Sequence, residues 1–225
     1  YRDQVRRFWR GDGRSGDLAT RIAGSADVFT GPASRSVNFV AAHDGFTLAD
    51  MVAYAGRQNQ ANGEDNRDGH GDEVSWNHGA EGPTDDPAIR TARIRSVRAM
   101  LATLFLSRGT PMLTAGDEFG RSQNGNNNGY AQDNEATWLD WEDRDEALED
   151  FVAQLSAFRR ENPLDWTDWL AGAEWRNLSG AAMTPEDWDG GNGFSLHVPV
   201  GNERLILRFD RARGVSAIRG TVLES

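Results

Sequence analysis

Apolar positions along this chain switch between helical spacing and short solid runs. Val5, Phe8 and Trp9 recur at helical spacing within residues 1–10, and the stretch 11–16 breaks that helix. Residues 18–29 predict a second short helix with Ala and Ile on one side. Residues 37–42 form a short apolar run that ends in His43-Asp44-Gly45. This predicts a buried strand with polar residues at its C-terminal end. A brief helix follows over 50–54.

The clearest helix is predicted over 87–108. Asp85 or Asp86 caps it and Pro87 suits its first turn. Ile89, Ile94, Val97, Leu101, Leu104 and Phe105 make its apolar face, and Arg90, Arg93, Arg95 and Arg98 read as the solvated side. Residues 109–111 end it. A second buried strand is predicted over 112–115, running into Gly116-Asp117-Glu118. Strand, helix and strand make a parallel βαβ unit with acidic residues at both strand ends. Another helix is predicted over 144–160, with Leu148, Phe151, Val152, Leu155 and Phe158 on one face and Pro163 as its stop. Beyond it Trp166, Trp169, Trp175 and Trp188 sit among Gly and Asp, and 195–198 and 205–209 read as strands joined by 199–202. The chain therefore divides near residue 163, with an all-β module over 164–225.

Composition narrows the chemistry. The 225 residues carry a net charge of −11, and none of the 24 basic residues is Lys. Schiff-base and P-loop lysines are excluded, and a net-negative chain is a poor partner for nucleic acid. The absence of Cys excludes disulfides and thiolate chemistry and suits a cytoplasmic setting. No run of 18 or more apolar residues predicts a membrane span. Residues 11–16 match GxGxxG, but they follow a helix instead of a strand, so they read as a loop. The long polar stretch 57–87 invites a calcium reading. The EF-hand pattern fails there, because counting back from Gly69 puts Glu64 first and Ser75 twelfth. The histidines lack zinc spacing and no GxSxG elbow occurs, so no metal or cofactor is called for.

What remains is carboxylate chemistry. The loops after the two strands gather His43, Asp44, Asp117, Glu118 and Asp133 among many amides. Carboxylates and amides bind hydroxyls, and Trp covers the apolar face of a sugar, so a polyhydroxylated ligand fits. Each residue also has a plainer reading. Asp117 and Glu118 serve as turn caps, Trp138 and Trp141 as core or interface aromatics, and His43 as a structural histidine.

Residues 37–48, with His43-Asp44-Gly45, resemble the segment of the α-amylase superfamily that carries its third acidic residue. Residues 109–118 resemble that family's eighth-strand motif. The stretches 62–69, 76–79, 125–128, 132–135 and 137–141 resemble bacterial glycogen debranching enzymes of the isoamylase type. The likeness covers roughly residues 1–170. It implies an α/β fold: the last two strands and helices of a (β/α)8 barrel over 1–163, then an all-β domain over 164–225. A full barrel needs about 250 residues, so the segments before Tyr1 are expected to be missing. The resemblance implies retaining hydrolysis of α-1,6 branch linkages in glycogen or its limit dextrin. Asp44 would stabilise the transition state, while His43, Asp133 and Glu118 would bind substrate. The nucleophile and acid/base of the family have no counterpart here, so the chain alone is expected to be inactive. Expected partners are an α-glucan, and either the missing part or a second copy sealing the open barrel edge.

Overall fold

A computed structural model describes residues 1–31, 36–162, 170 and 172–221. The predicted stop at Pro163, the division beside it, Trp166 and Trp169 lie outside the described residues. Helix α1 (Arg2–Arg10) buries Val5, Phe8 and Trp9 as their spacing requires, and buries Arg6 with them. Helix α2 (Ser15–Ile22) is shorter than expected, because the chain turns at Ala23 and Ser25. Helix α3 (Leu48–Met51) starts at Thr47, whose side chain accepts a hydrogen bond from Asp50 N.

Helix α4 (Pro87–Leu106) begins as expected. The Asp86 carboxylate accepts from Ala88 N and Ile89 N, and Pro87 occupies the first turn. Its one-sided pattern does not persist. From Ser96 to Leu106 all positions except the half-buried Arg98 are buried, because α1, α5 (Glu146–Glu161) and the last strand each pack on a different side. Two details of the helix differ from the expected face. Ile94 is 46% exposed. Arg93 is half-buried and donates to the carbonyls of Asn77, Ala80 and Gly82, so it ties down a loop instead of facing water.

The parallel pair exists but is shorter than the apolar runs suggested. Strand β1 (Val37–Asn38) pairs with β2 (Thr110–Pro111), so the second strand precedes the predicted 112–115. Thr110 N donates to Ser36 O and Met112 N to Asn38 O, each at 2.8 Å. Pro111 is tolerated because its missing N–H belongs to the side away from β1. With no further neighbour among the described residues, the ladder stops after two residues, and Val37 is 49% exposed while Val40 and Ala41 are buried.

The antiparallel sheet runs β3 (Glu174–Arg176), β4 (Gly193–Val200), β5 (Glu203–Asp210), β6 (Gly214–Thr221) in that order. A short helix α6 (Pro185–Asp189) joins β3 to β4. The strands β4 and β5 run through the expected cores, and Val200 pairs with Glu203 across a Gly201-Asn202 turn. Phe194, Leu196, Leu205, Leu207 and Phe209 point to one buried layer that is continuous with Phe8, Leu104 and Ile22 of the helices. Arg211 clamps the two parts: its guanidinium lies 4.7 Å from the Phe8 ring and donates to the carbonyls of Gly11 and Gly13 at the end of α1.

Candidate functional site

The chain leaves β1 through buried Val40 and Ala41 and then exposes His43 and Asp44. The turn behind them is tightly backed. A Cβ on Gly45 would lie 2.9 Å from Glu73 Oε1 and 3.0 Å from Oε2, so only glycine lets this turn rest on that carboxylate. Glu73 itself is 5% exposed and pairs with fully buried Arg6 at 3.1 Å. Arg6 Nη1 also donates to Glu73 O at 2.6 Å and Nε to Val40 O at 2.7 Å. Burial lowers the pKa of the Arg6 guanidinium, and the charge of Glu73 opposes that shift. One ion pair thereby joins α1, the end of the β1 segment and the long polar loop. Removing either partner would strand a buried charge, at about 3–5 kcal/mol.

The second oxygen of Glu73 carries the connection further. Asn127 Nδ2 donates to Glu73 Oε1 at 3.1 Å and to His70 O at 2.9 Å. Asn127 and Asn59 exchange amide bonds: Asn59 Nδ2 donates to Asn127 Oδ1, and Asn127 N to Asn59 Oδ1, each at 2.9 Å. Asn126 Nδ2 donates to Asn62 Oδ1 at 2.7 Å, and Asn62 and Asn128 both donate to Asp68 Oδ2. The Asn-rich loops, residues 57–73 and 122–128, are thus sewn to each other side chain to side chain. An amide carries both donor and acceptor, so complementary Asn pairs satisfy each other without charge. Asp50 holds the other end of the loop. Its buried carboxylate accepts from Ser122 Oγ at 2.5 Å and Gln123 N at 2.7 Å, and burial raises its pKa against those donors.

The remaining sequence-named residues divide. Asp117 is 2% exposed and accepts from Leu48 N at 2.9 Å, linking the loop after β2 to the start of α3. Burial pushes its carboxyl up to about 7, and the charge of Glu118 adds to that. Glu118 Oε2 accepts from Gly116 N at 2.8 Å, closing its own turn. Asp133 is exposed and accepts from Trp138 Nε1 at 2.9 Å, and Trp138 and Trp141 are each 58% exposed. These two Trp side chains are therefore surface groups, which excludes the core reading and leaves the interface one.

His43 and Asp44 stand together, and His70 joins them. Its Nε2 lies 3.8 Å from Asp44 Oδ2. Sequence reasoning missed His70, Arg6, Glu73, Asn59 and Asn127. The density of Asn in both loops was the available signal, and it marked pairing between loops. Among the described residues no group of three or more His, Asp and Glu is arranged to hold a metal ion. None of the helices among them is long and apolar enough to cross a membrane.

No protein-family model matches the sequence. The chain is 48% identical over 200 residues to a glycogen debranching enzyme of Cronobacter sakazakii, covering 85% of this chain and 30% of that protein. It is 45% identical over 218 residues to a glycogen operon protein homologue of Mycobacterium tuberculosis, covering 89% of this chain and 30% of the relative. Among solved structures, a pullulanase from Bacillus acidopullulyticus superposes with a TM-score of 0.66 over 93% of this chain and 24% of its own, at 18% identity. That likeness shows the fold. The chain spans about 30% of the length of these curated relatives.

Proposed function

We propose that this chain, which belongs with the bacterial glycogen debranching enzymes and spans about 30% of their length, forms part of the glucan-facing side of an enzyme that hydrolyses α-1,6 branch linkages. The observation that carries this reading is the exposed His43-Asp44 turn, backed by the buried Arg6–Glu73 pair, in a chain 48% identical to a debranching enzyme. In this reading residues 1–163 are the last part of a (β/α)8 barrel and 164–225 a β-rich domain. Glycoside hydrolysis passes through an oxocarbenium-like transition state, and a fixed carboxylate beside it lowers its energy electrostatically. Asp44 takes that role, held in place because Gly45 abuts Glu73. His43 binds hydroxyls of the sugar at the cleavage point. Asp133, beside the exposed Trp138 ring, holds a neighbouring glucose, and Glu118 contributes from the loop after β2. The proposed setting is the cytoplasm, with no cofactor.

Retention requires two further carboxyl groups about 5–5.5 Å apart, the nucleophile and the acid/base. Neither motif has a counterpart in these 225 residues. The isolated chain is therefore expected to release no linear chains from glycogen, as followed by a reducing-end assay. Measurable release would overturn the assignment of roles. A non-catalytic glucan-binding role for the chain by itself is favoured by one observation: Asp117, the carboxylate after β2, is 2% exposed and held on Leu48 N, so it adds no exposed catalytic carboxyl to Asp44. Retardation in a glycogen-containing gel supports that role, and unretarded migration counts against it.

Self-association is part of the same proposal. Val28, Phe29, Val37 and Met112 are 64%, 39%, 49% and 40% exposed around the two-stranded pair, whose edges have no partner among the described residues. Unpaired edges beside apolar surface favour pairing with another chain. Light scattering is expected to give a dimer or larger species, and a folded monomer would refute it.

A further inference from the structure

We propose that His70 is a third glucan-contacting residue of the Asp44 site, presented there by the buried Glu73–Asn127–Asn59 network. This rests on the reading of Asp44 as a glucan-facing carboxylate. His70 Nε2 and Asp44 Oδ2 are 3.8 Å apart, and the two side chains are 52% and 57% exposed. That gap is too long for a direct hydrogen bond and suits one hydroxyl that bridges both atoms from the solvent side. An oxygen about 2.8 Å from each atom donates to the carboxylate and accepts from the imidazole N–H. A sugar hydroxyl has the one donor and the lone pairs this requires.

The imidazole is anchored through its backbone alone. Its carbonyl accepts from Asn127 Nδ2 at 2.9 Å, and the neighbouring Gly69 carbonyl accepts from Arg57 Nη1 at 3.1 Å. Gly69 has φ +73, and a Cβ there would fall 2.3 Å from Asn127 Oδ1 and 2.8 Å from Asn59 Nδ2. Only glycine lets the loop lie flat on the buried amides and bring the next residue beside Asp44. Among the described residues the His70 ring has no partner besides Asp44. The nearby charges are otherwise engaged: Arg6 with Glu73, Asp68 with Asn62 and Asn128, and Arg2 with Asp3. The two halves of the site hang from opposite sides of Glu73, since Gly45 packs on its carboxylate while Asn127 joins it to the His70 carbonyl.

Calorimetric titration of the 225-residue chain with maltohexaose tests this. His70→Ala is expected to weaken binding by about five- to tenfold, the range for one lost hydrogen bond, and His70→Gln to stay within about twofold. Asp44→Asn is also expected to weaken binding. The double variant Asp44→Asn/His70→Ala should lose no more than the worse single variant, because both groups hold the same hydroxyl. Circular dichroism of each variant should match the parent, since the ring is half exposed. Binding by the parent that His70→Ala leaves unchanged overturns the role of His70 and leaves the glucan reading standing. Additive losses in the double variant overturn the shared hydroxyl. Absence of maltohexaose binding by the parent overturns both.

Discussion

Asp117 carries the same chemical group as Asp44 in the opposite surroundings. Asp44 stands in water, whereas Asp117 is 2% exposed with a carboxyl pushed up to about 7 by burial. The folded chain keeps that proton across the interval in which the unfolded chain releases it. The stability contribution of this group therefore falls as pH rises from about 4 to about 7. Asp117→Asn keeps an oxygen for Leu48 N and cannot ionise. It is expected to be more stable than the parent at pH 8, by up to about 4 kcal/mol, and equal to it at pH 4. Urea midpoints at the two pH values check this, and a lower midpoint at pH 8 refutes it. His78 works in the other direction. Burial, then Arg93 and Arg95, lower its pKa, and Trp76 Nε1 donates to its Nε2 at 2.6 Å. The folded imidazole stays neutral where the unfolded one takes a proton, so its contribution is lost as pH falls below about 6.5.

At the scale of elements, α4 is set by its cap and its neighbours in different turns. Asp86 serves the first turn, where Pro87 has no N–H to offer and Ala88 and Ile89 do. Asp86→Ala is expected to lower stability by about 1 kcal/mol, with amide exchange rising first at residues 88–91. Unchanged exchange there would show that the Arg93 anchors hold the turn instead. Past Ser96 the helix is a central pillar touching α1, α5 and β6 at once. The parallel pair shows the reverse dependence. Its apolar runs were visible, but a strand is defined by a neighbour, and β1 and β2 have only each other among the described residues.

For the whole molecule, the consequential fact is a core shared by helices and sheet. Phe8, Ile22 and Leu104 lie in one buried layer with Phe194, Leu207 and Phe209, and Arg211 closes the seam. The buried residues of the two parts form one continuous cluster. Urea unfolding is expected to be a single transition, with midpoints coinciding by far-ultraviolet circular dichroism and by tryptophan fluorescence. Two separated midpoints would show that the β-rich part melts on its own.

Local pattern was enough to place the capped helix after Asp86, the helix built on Leu148 and Val152, the β4–β5 hairpin and the strand–helix–strand order that brings His43-Asp44 to one end. These depend on periodicity and on residues near in sequence. The last strand of the four-stranded sheet, β6, escaped because GVSAIRGT lacks a strong alternation and is a strand through its ladder to β5. The surroundings of Asp44 were equally out of reach. Arg6 meets Glu73 across 67 positions and Asn59 meets Asn127 across 68. No spacing rule links residues so far apart. The sequence alone determined where carboxylates, imidazoles and amides fall along the chain. Tertiary contact decided which of them face water, since a carboxylate becomes a solvent-facing group or a buried proton holder according to what packs behind it.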